Sequence, residues 1–135
     1  MLLPKNATVA VADGEKLSLF RNGGDETAPK LTPLPVPDVS SDSKGGAGQG
    51  HQSSSANPDD SQQAEDTFAA GTAALLNKHV LAGKISDLVI IAAPRSLGEL
   101  RKHYHKKLED VLLKEIAKDL TGHTSADIEK TILAA

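Results

Sequence analysis

Residues 7–12 (Ala-Thr-Val-Ala-Val-Ala) form a short apolar run that ends in Asp13-Gly14, a strong signal for a hairpin turn. Residues 16–21 then alternate, with Leu17, Leu19 and Arg21 on one face and Lys16, Ser18 and Phe20 on the other. Asn22-Gly23-Gly24 closes the segment, so the pattern predicts a β-hairpin. Residues 30–37 carry Pro33, Pro35 and Pro37. Each proline lacks an N–H, so this segment is expected as an edge strand and not a central one.

From Ser40 to Ser61 the apolar residues nearly vanish, and Ser, Asp, Gly, Gln and Asn dominate. A stretch that buries so little cannot offset its ordering entropy, so residues 40–61 are expected to be a long flexible loop interrupting the domain. Residues 62–82 predict a helix. Asp60 is read as its N-cap, Glu65 and Asp66 lie in its first turns, and Phe68, Thr72, Leu75, Leu76 and His79 share one face. Gly83 is placed to stop it.

Residues 87–93 are a continuous apolar run after Asp87, the mark of a central strand covered on both faces. Pro94 ends that run. Ser96 stands three before Glu99, which reads as a capping box opening a helix over at least 96–106. Residues 107–121 fit two patterns. Leu108, Val111, Leu112, Ile116 and Leu120 suit a continued helix, whereas Leu112, Lys114 and Ile116 also alternate as in a strand. Thr124 and Asp127 open a short C-terminal helix with Ile128, Thr131 and Ile132. The order β-β-(β)-loop-α-β-α-(β or α)-α predicts a single α/β domain over residues 1–135, a mixed sheet with helices packed on it.

Composition narrows this. The chain has 135 residues, room for one core and not two. With Phe20, Phe68 and Tyr104 as its aromatics and no Trp, the core must be aliphatic, and a dedicated single-strand nucleic-acid binder is disfavoured. No cysteine is present, which excludes disulfides, thiolate metal sites and a cysteine nucleophile. The net charge of −3 gives no global basic field and no strong DNA-binding signature. No apolar stretch approaches a membrane span, and Pro4, Lys5 and Asn6 interrupt the start of the chain before any signal-peptide core develops. The expected location is the cytoplasm.

Candidate chemistry concentrates at the strand-to-helix junction, residues 93–96. Ligands of open α/β sheets bind beyond the carboxyl ends of strands, and a helix N-terminus offers free N–H groups to an anion. Arg95 and Ser96, with Arg101 and Lys102 beyond, are the candidate anion- or RNA-binding residues, against the plainer reading of a capped helix with solvated cations. His103 and His105 lie two apart, point to different sides of a helix and do not chelate one metal. No metal site and no cofactor is expected. Gly45, Gly46, Gly48, Gln49 and Gly50 make a stretch whose backbone can approach a partner closely, but it lacks the Gly-Lys-Ser/Thr ending of a phosphate loop.

Three blocks carry a family likeness: residues 3–14 (Leu-Pro-Lys-Asn-Ala-Thr-Val-Ala-Val-Ala-Asp-Gly), residues 93–101 (Ala-Pro-Arg-Ser-Leu-Gly-Glu-Leu-Arg) and residues 118–121 (Lys-Asp-Leu-Thr). In these the chain resembles the bacterial host attachment protein family, itself similar in fold to the central domain of archaeal and eukaryotic peptide-chain release factors. The resemblance implies a part in bacterial attachment to host cells, a release-factor-like fold and a strand over 113–119. It also implies Gln49 as a candidate catalytic residue, because release factors carry a Gly-Gly-Gln loop before a long helix. Here Ala47 replaces the first glycine of that triplet. The leading expectation is a noncatalytic interaction protein of the host attachment family. The alternative is a ribosome- or tRNA-associated release-factor-like protein, and a weaker one a small-molecule enzyme with an anion site at 93–96.

Overall fold

The computed structural model describes residues 1–37 and 60–135. The flexible-loop expectation, with Gly45, Gly46, Gly48, Gln49 and Gly50, therefore lies outside the described residues except at its last two positions. Those belong to a helix. The described elements run β1 (Thr8–Ala12), β2 (Leu17–Asn22), β3 (Leu31–Leu34), α1 (Asp60–Leu81), β4 (Leu88–Ala92), α2 (Pro94–Arg101), α3 (Lys106–Val111), β5 (Leu112–Ala117) and α4 (Ser125–Ala134). The five strands form one sheet in the order β3-β2-β1-β4-β5. β1 pairs antiparallel with β2 and parallel with β4, and β5 runs parallel to β4. This is the mixed α/β sheet that the patterning predicts.

The layers follow from strand parity. Successive strand residues face opposite sides, so β4 feeds two cores at once. Leu88, Ile90 and Ala92 join Ala69, Ala73 and Leu76 of α1, Leu97 and Leu100 of α2, and Leu108 of α3. Val89 and Ile91 join Ile128 and Ile132 of α4. All five residues of β4 are buried, as its unbroken apolar run requires. β3 is an edge strand, with Pro33 opposite Phe20, where a missing N–H is tolerated.

The β1–β2 hairpin is anchored at its open end by Asn22, which is fully buried. Its two Nδ2 hydrogens are shared among the carbonyls of Leu3 (3.0 Å), Pro4 (3.2 Å) and Asp25 (3.4 Å). Its Oδ1 accepts from the amides of Gly24 (2.8 Å) and Lys30 (2.9 Å). One amide side chain thus ties the N-terminal segment, the hairpin end and the β2–β3 connection together.

Three helix boundaries differ from expectation. α1 begins at Asp60, so that residue is the first of the helix and does not precede it. Its end is as read: Gly83 takes φ of 78°, its N–H donates to Val80 O, and Lys84 N–H donates to His79 O. That is a Schellman stop. α2 begins at Pro94, and Ala93 is its N-cap without a side-chain hydrogen bond. The Ser96–Glu99 capping box therefore does not form. Proline is favoured in the first helical position because its fixed φ suits the helix and its missing N–H is no loss there. The helix thus starts two residues early and Ser96 falls inside its first turn.

The continuous 96–106 helix is also replaced, by α2, a tight turn over 102–105, and α3. Asn77 of α1 fastens that turn, donating to His103 O and accepting from His105 N–H, both at 2.9 Å. His105 is the N-cap of α3, its Nδ1 accepting from Lys107 N–H. The ambiguous 107–121 segment contains both alternatives in succession. α3 ends at Val111, and β5 follows directly, overlapping the strand that the resemblance implied over 113–119.

Candidate functional site at the carboxyl ends of the parallel strands

Register brings the three sequence blocks together. Ala12 of β1 pairs with Ala92 of β4, and Ala92 with Ala117 of β5. The residues that follow, Asp13, Ala93 and Lys118, therefore leave the sheet at the same edge. This is the end where open α/β sheets place ligands.

Asp13 organises one side of this edge. Its Oδ1 accepts from the amides of Glu15 and Lys16, each at 2.7 Å, which holds the β1–β2 turn through the side chain. Its Oδ2 accepts from the Thr121 hydroxyl at 2.9 Å. The same hydroxyl lies 2.6 Å from Asp119 Oδ1. A hydroxyl has one hydrogen, so it serves one carboxylate at a time. Partial burial works to raise the pKa of Asp13. The amide hydrogen bonds, the Thr121 hydroxyl and the Lys16 charge outweigh it, and the carboxyl titrates below its ordinary range.

The predicted anion residues separate into two groups. Arg95 and Ser96 occupy the first turn of α2. The Arg95 side chain is exposed and, among the described residues, makes no hydrogen bond or ion pair; Ser96 is half-buried. Arg101 instead binds Glu115 of β5, through Nε at 2.9 Å and the guanidinium NH2 at 2.8 Å. Tyr104 donates its hydroxyl to the other oxygen of Glu115 at 2.8 Å. Burial, with the Glu115 hydrogen bond and charge, pushes the Tyr104 phenol far up and keeps it a donor. Lys102 pairs with Glu99 at 2.7 Å. Arg101 and Tyr104 thus staple the end of α2 and the turn after it to β5, and of the candidate cations Arg95 is the one left facing solvent.

Beyond the junction lies a basic knuckle. Lys78 of α1, Lys102, His103, His105, Lys106 and Lys107 are all exposed around the turn that Asn77 fastens. Among the described residues no group of three or more His, Asp and Glu side chains is arranged to hold a metal ion. No described helix is long and apolar enough to cross a membrane.

Sequence reasoning missed Asp13, Thr121 and Asn77 as organising residues. Asp13 is visible only as a turn residue, and Thr121 only as the end of the Lys-Asp-Leu-Thr block. The contact between them spans 108 positions.

A mixed sheet with helices on both faces, open at the strand ends, defines a small α/β domain of the kind that the release-factor likeness implied. The sequence model of bacterial archaeo-eukaryotic release factor family 12 matches residues 6–132, and the chain belongs to that family. An uncharacterized protein of Rickettsia prowazekii (strain Madrid E) is 39% identical over 51 residues, a match covering 38% of this chain and 34% of that protein. The matched part is about a third of that relative's length. The family supports the release-factor side of the resemblance. Attachment to host cells draws no support from it.

Proposed function

We propose that this protein is a release-factor-like module that associates with tRNA or the ribosome and works in the cytoplasm. The observation that carries this reading is the family match across residues 6–132. The basic knuckle supports it. Although the whole chain carries a net charge of −3, Lys78 of α1 and Lys106 and Lys107 of α3 are exposed on the helices that flank one turn, and local positive charge is what phosphate backbones respond to. Arg95, in the first turn at the other end of α2, adds a separate phosphate contact.

Association is favoured over hydrolysis. Ala47 stands where the release-factor triplet has its first glycine, and a Cβ there restricts the backbone that must reach the ester. Gln49 is the residue on which any retained hydrolysis would depend, by positioning water and opposing oxyanion charge.

The test is co-sedimentation of the full chain with ribosomes across a salt series, with release of labelled peptide measured in parallel. Expected are binding that weakens as salt rises, loss of binding in Lys106→Gln/Lys107→Gln, and no release that depends on Gln49. Absence of both ribosome and tRNA binding would sink the proposal. Robust release abolished by Gln49→Ala would replace association with catalysis.

A further inference from the structure

The opposite end of the sheet holds a cavity that the release-factor reading does not use. It has a volume of about 710 Å³. It opens where β2 and β3 pass the carboxyl end of α1. Leu19 and Arg21 lie two apart on β2 and share a face, and Leu34 of β3 is the cross-strand partner of Leu19. With Val36 and Ile85 these side chains make an apolar wall. The Schellman turn at Gly83 ends α1 and brings Lys84 to the lining, opposite the strand that carries Arg21.

The geometry points to a binding site for a small amphipathic organic anion, with its apolar body against Leu19, Leu34, Val36 and Ile85 and its headgroup between Arg21 and Lys84. Three observations support that chemistry. The volume falls within the range of about 300–1,000 Å³ typical of small-molecule sites. None of the described residues that line it is acidic. The side chains of Arg21 and Lys84 are exposed and make no hydrogen bond or ion pair among the described residues, so both cations are available to a headgroup.

The carboxyl end of α1 works against an anion, because a helix C-terminus carries roughly half a negative charge. Two full positive charges exceed it. The Schellman bonds also already occupy the carbonyls of His79 and Val80. A neutral apolar ligand would leave both cations without a counter-charge, and an organic cation would be repelled by them.

The probes are octanoate, octanol and octylamine, which share one apolar body and differ in headgroup charge. Each is titrated into the full chain while amide shifts are followed by NMR. Octanoate is expected to give saturable shifts at Arg21, Leu34, Gly83, Lys84 and Ile85. Octanol should bind at least about tenfold more weakly, as should octanoate to Arg21→Gln/Lys84→Gln, in keeping with loss of charge-assisted hydrogen bonds. Both replaced side chains face solvent at the cavity mouth, and an otherwise unchanged spectrum verifies that the variant is folded. Equal affinity for octylamine, undiminished binding in the double variant, or no saturable shift at these residues would overturn the assignment. Ribosome binding that persists in the double variant separates this site from the proposed function.

Discussion

The β1–β2 hairpin is held at its two ends by two polar side chains of similar size and different chemistry. Asn22, at the open end, is fully buried and carries no charge. Its amide both donates and accepts, so carbonyls and N–H groups from three segments converge on it without any ion being desolvated. Asp13, at the turn, only accepts. It collects two amides and a hydroxyl and stays partly exposed, where solvent still shares its charge. A buried junction that must satisfy donors and acceptors together takes a neutral amide, whereas a junction of donors alone, at the surface, takes a carboxylate. One end is therefore insensitive to pH and costly to alter, and the other is milder and titrates.

The sharpest way to break this comparison is Asn22→Ala. It strips partners from buried carbonyls and amides at once, each worth about 1–3 kcal/mol when left unsatisfied. We expect a loss of about 3 kcal/mol or more in denaturant unfolding, constant between pH 3 and pH 7. A loss below about 1 kcal/mol would mean that water replaces the side chain and that the junction is not the anchor.

Gly24→Ala attacks the same end through the backbone. A Cβ there would meet the Ala28 carbonyl and lie 2.8 Å from Lys30 N, a main-chain atom that donates to Asn22 Oδ1 and cannot swing away as a side chain could. The expected cost is about 1–3 kcal/mol, as for other overpacked sites, with exchange of the Lys30 amide accelerated as the Asn22 contact loosens.

Asp13→Asn tests the titrating end. The folded-state pKa of Asp13 is lowered, so the folded protein binds fewer protons than the unfolded chain as acid is added. Its stabilisation is complete above the unfolded value, about pH 4, and is lost as pH falls through the lowered folded value. Because the group is partly exposed, the effect is expected near 1 kcal/mol. The variant should be less stable at neutral pH and should lose less further stability below about pH 4 than the parent. Parallel pH profiles for parent and variant would remove Asp13 from this role.

The smallest expected effect on stability is at Arg95. Arg95→Ala removes an exposed side chain with no described partner, so stability should change by less than about 0.5 kcal/mol. The same change should weaken phosphate-induced shifts of the Ser96 and Leu97 amides. Unaltered shifts in the variant would mean that the start of α2 is a capped helix end and nothing more.

Much of the fold is legible in the chain wherever the deciding interactions are local or periodic. The unbroken run of β4, the alternation of β2, the prolines of β3 and the Gly83 stop each name their element. The 107–121 segment is illegible for a specific reason. Leu108, Val111, Leu112 and Ile116 keep helical spacing across a boundary where the chain changes from α3 to β5. Leu112 faces the α1–α3 core, yet Ile116, of the same parity, faces the α4 core. The pairing explains this: Leu88 matches Leu112, but Val89 matches Lys114, so Leu113 is an extra residue that shifts the faces beyond it. The junction at 93–96 is a strand-to-helix turn at the carboxyl ends of the parallel strands, but Arg101 is drawn to Glu115, fourteen positions away.

By itself, the sequence determined that this protein is a single aliphatic-cored α/β sheet with a proline-limited edge, because burial, turn chemistry and chain stiffness act over a few residues. Only the tertiary structure decided which charges remain available. Arg101 and Lys102 are taken by carboxylates, Arg95 is left at the junction, and Arg21 and Lys84, more than sixty residues apart in sequence, both line one cavity. The physical reason is that charge availability depends on which opposite charge the fold brings within a few ångströms, and strand register sets that distance, not spacing along the chain.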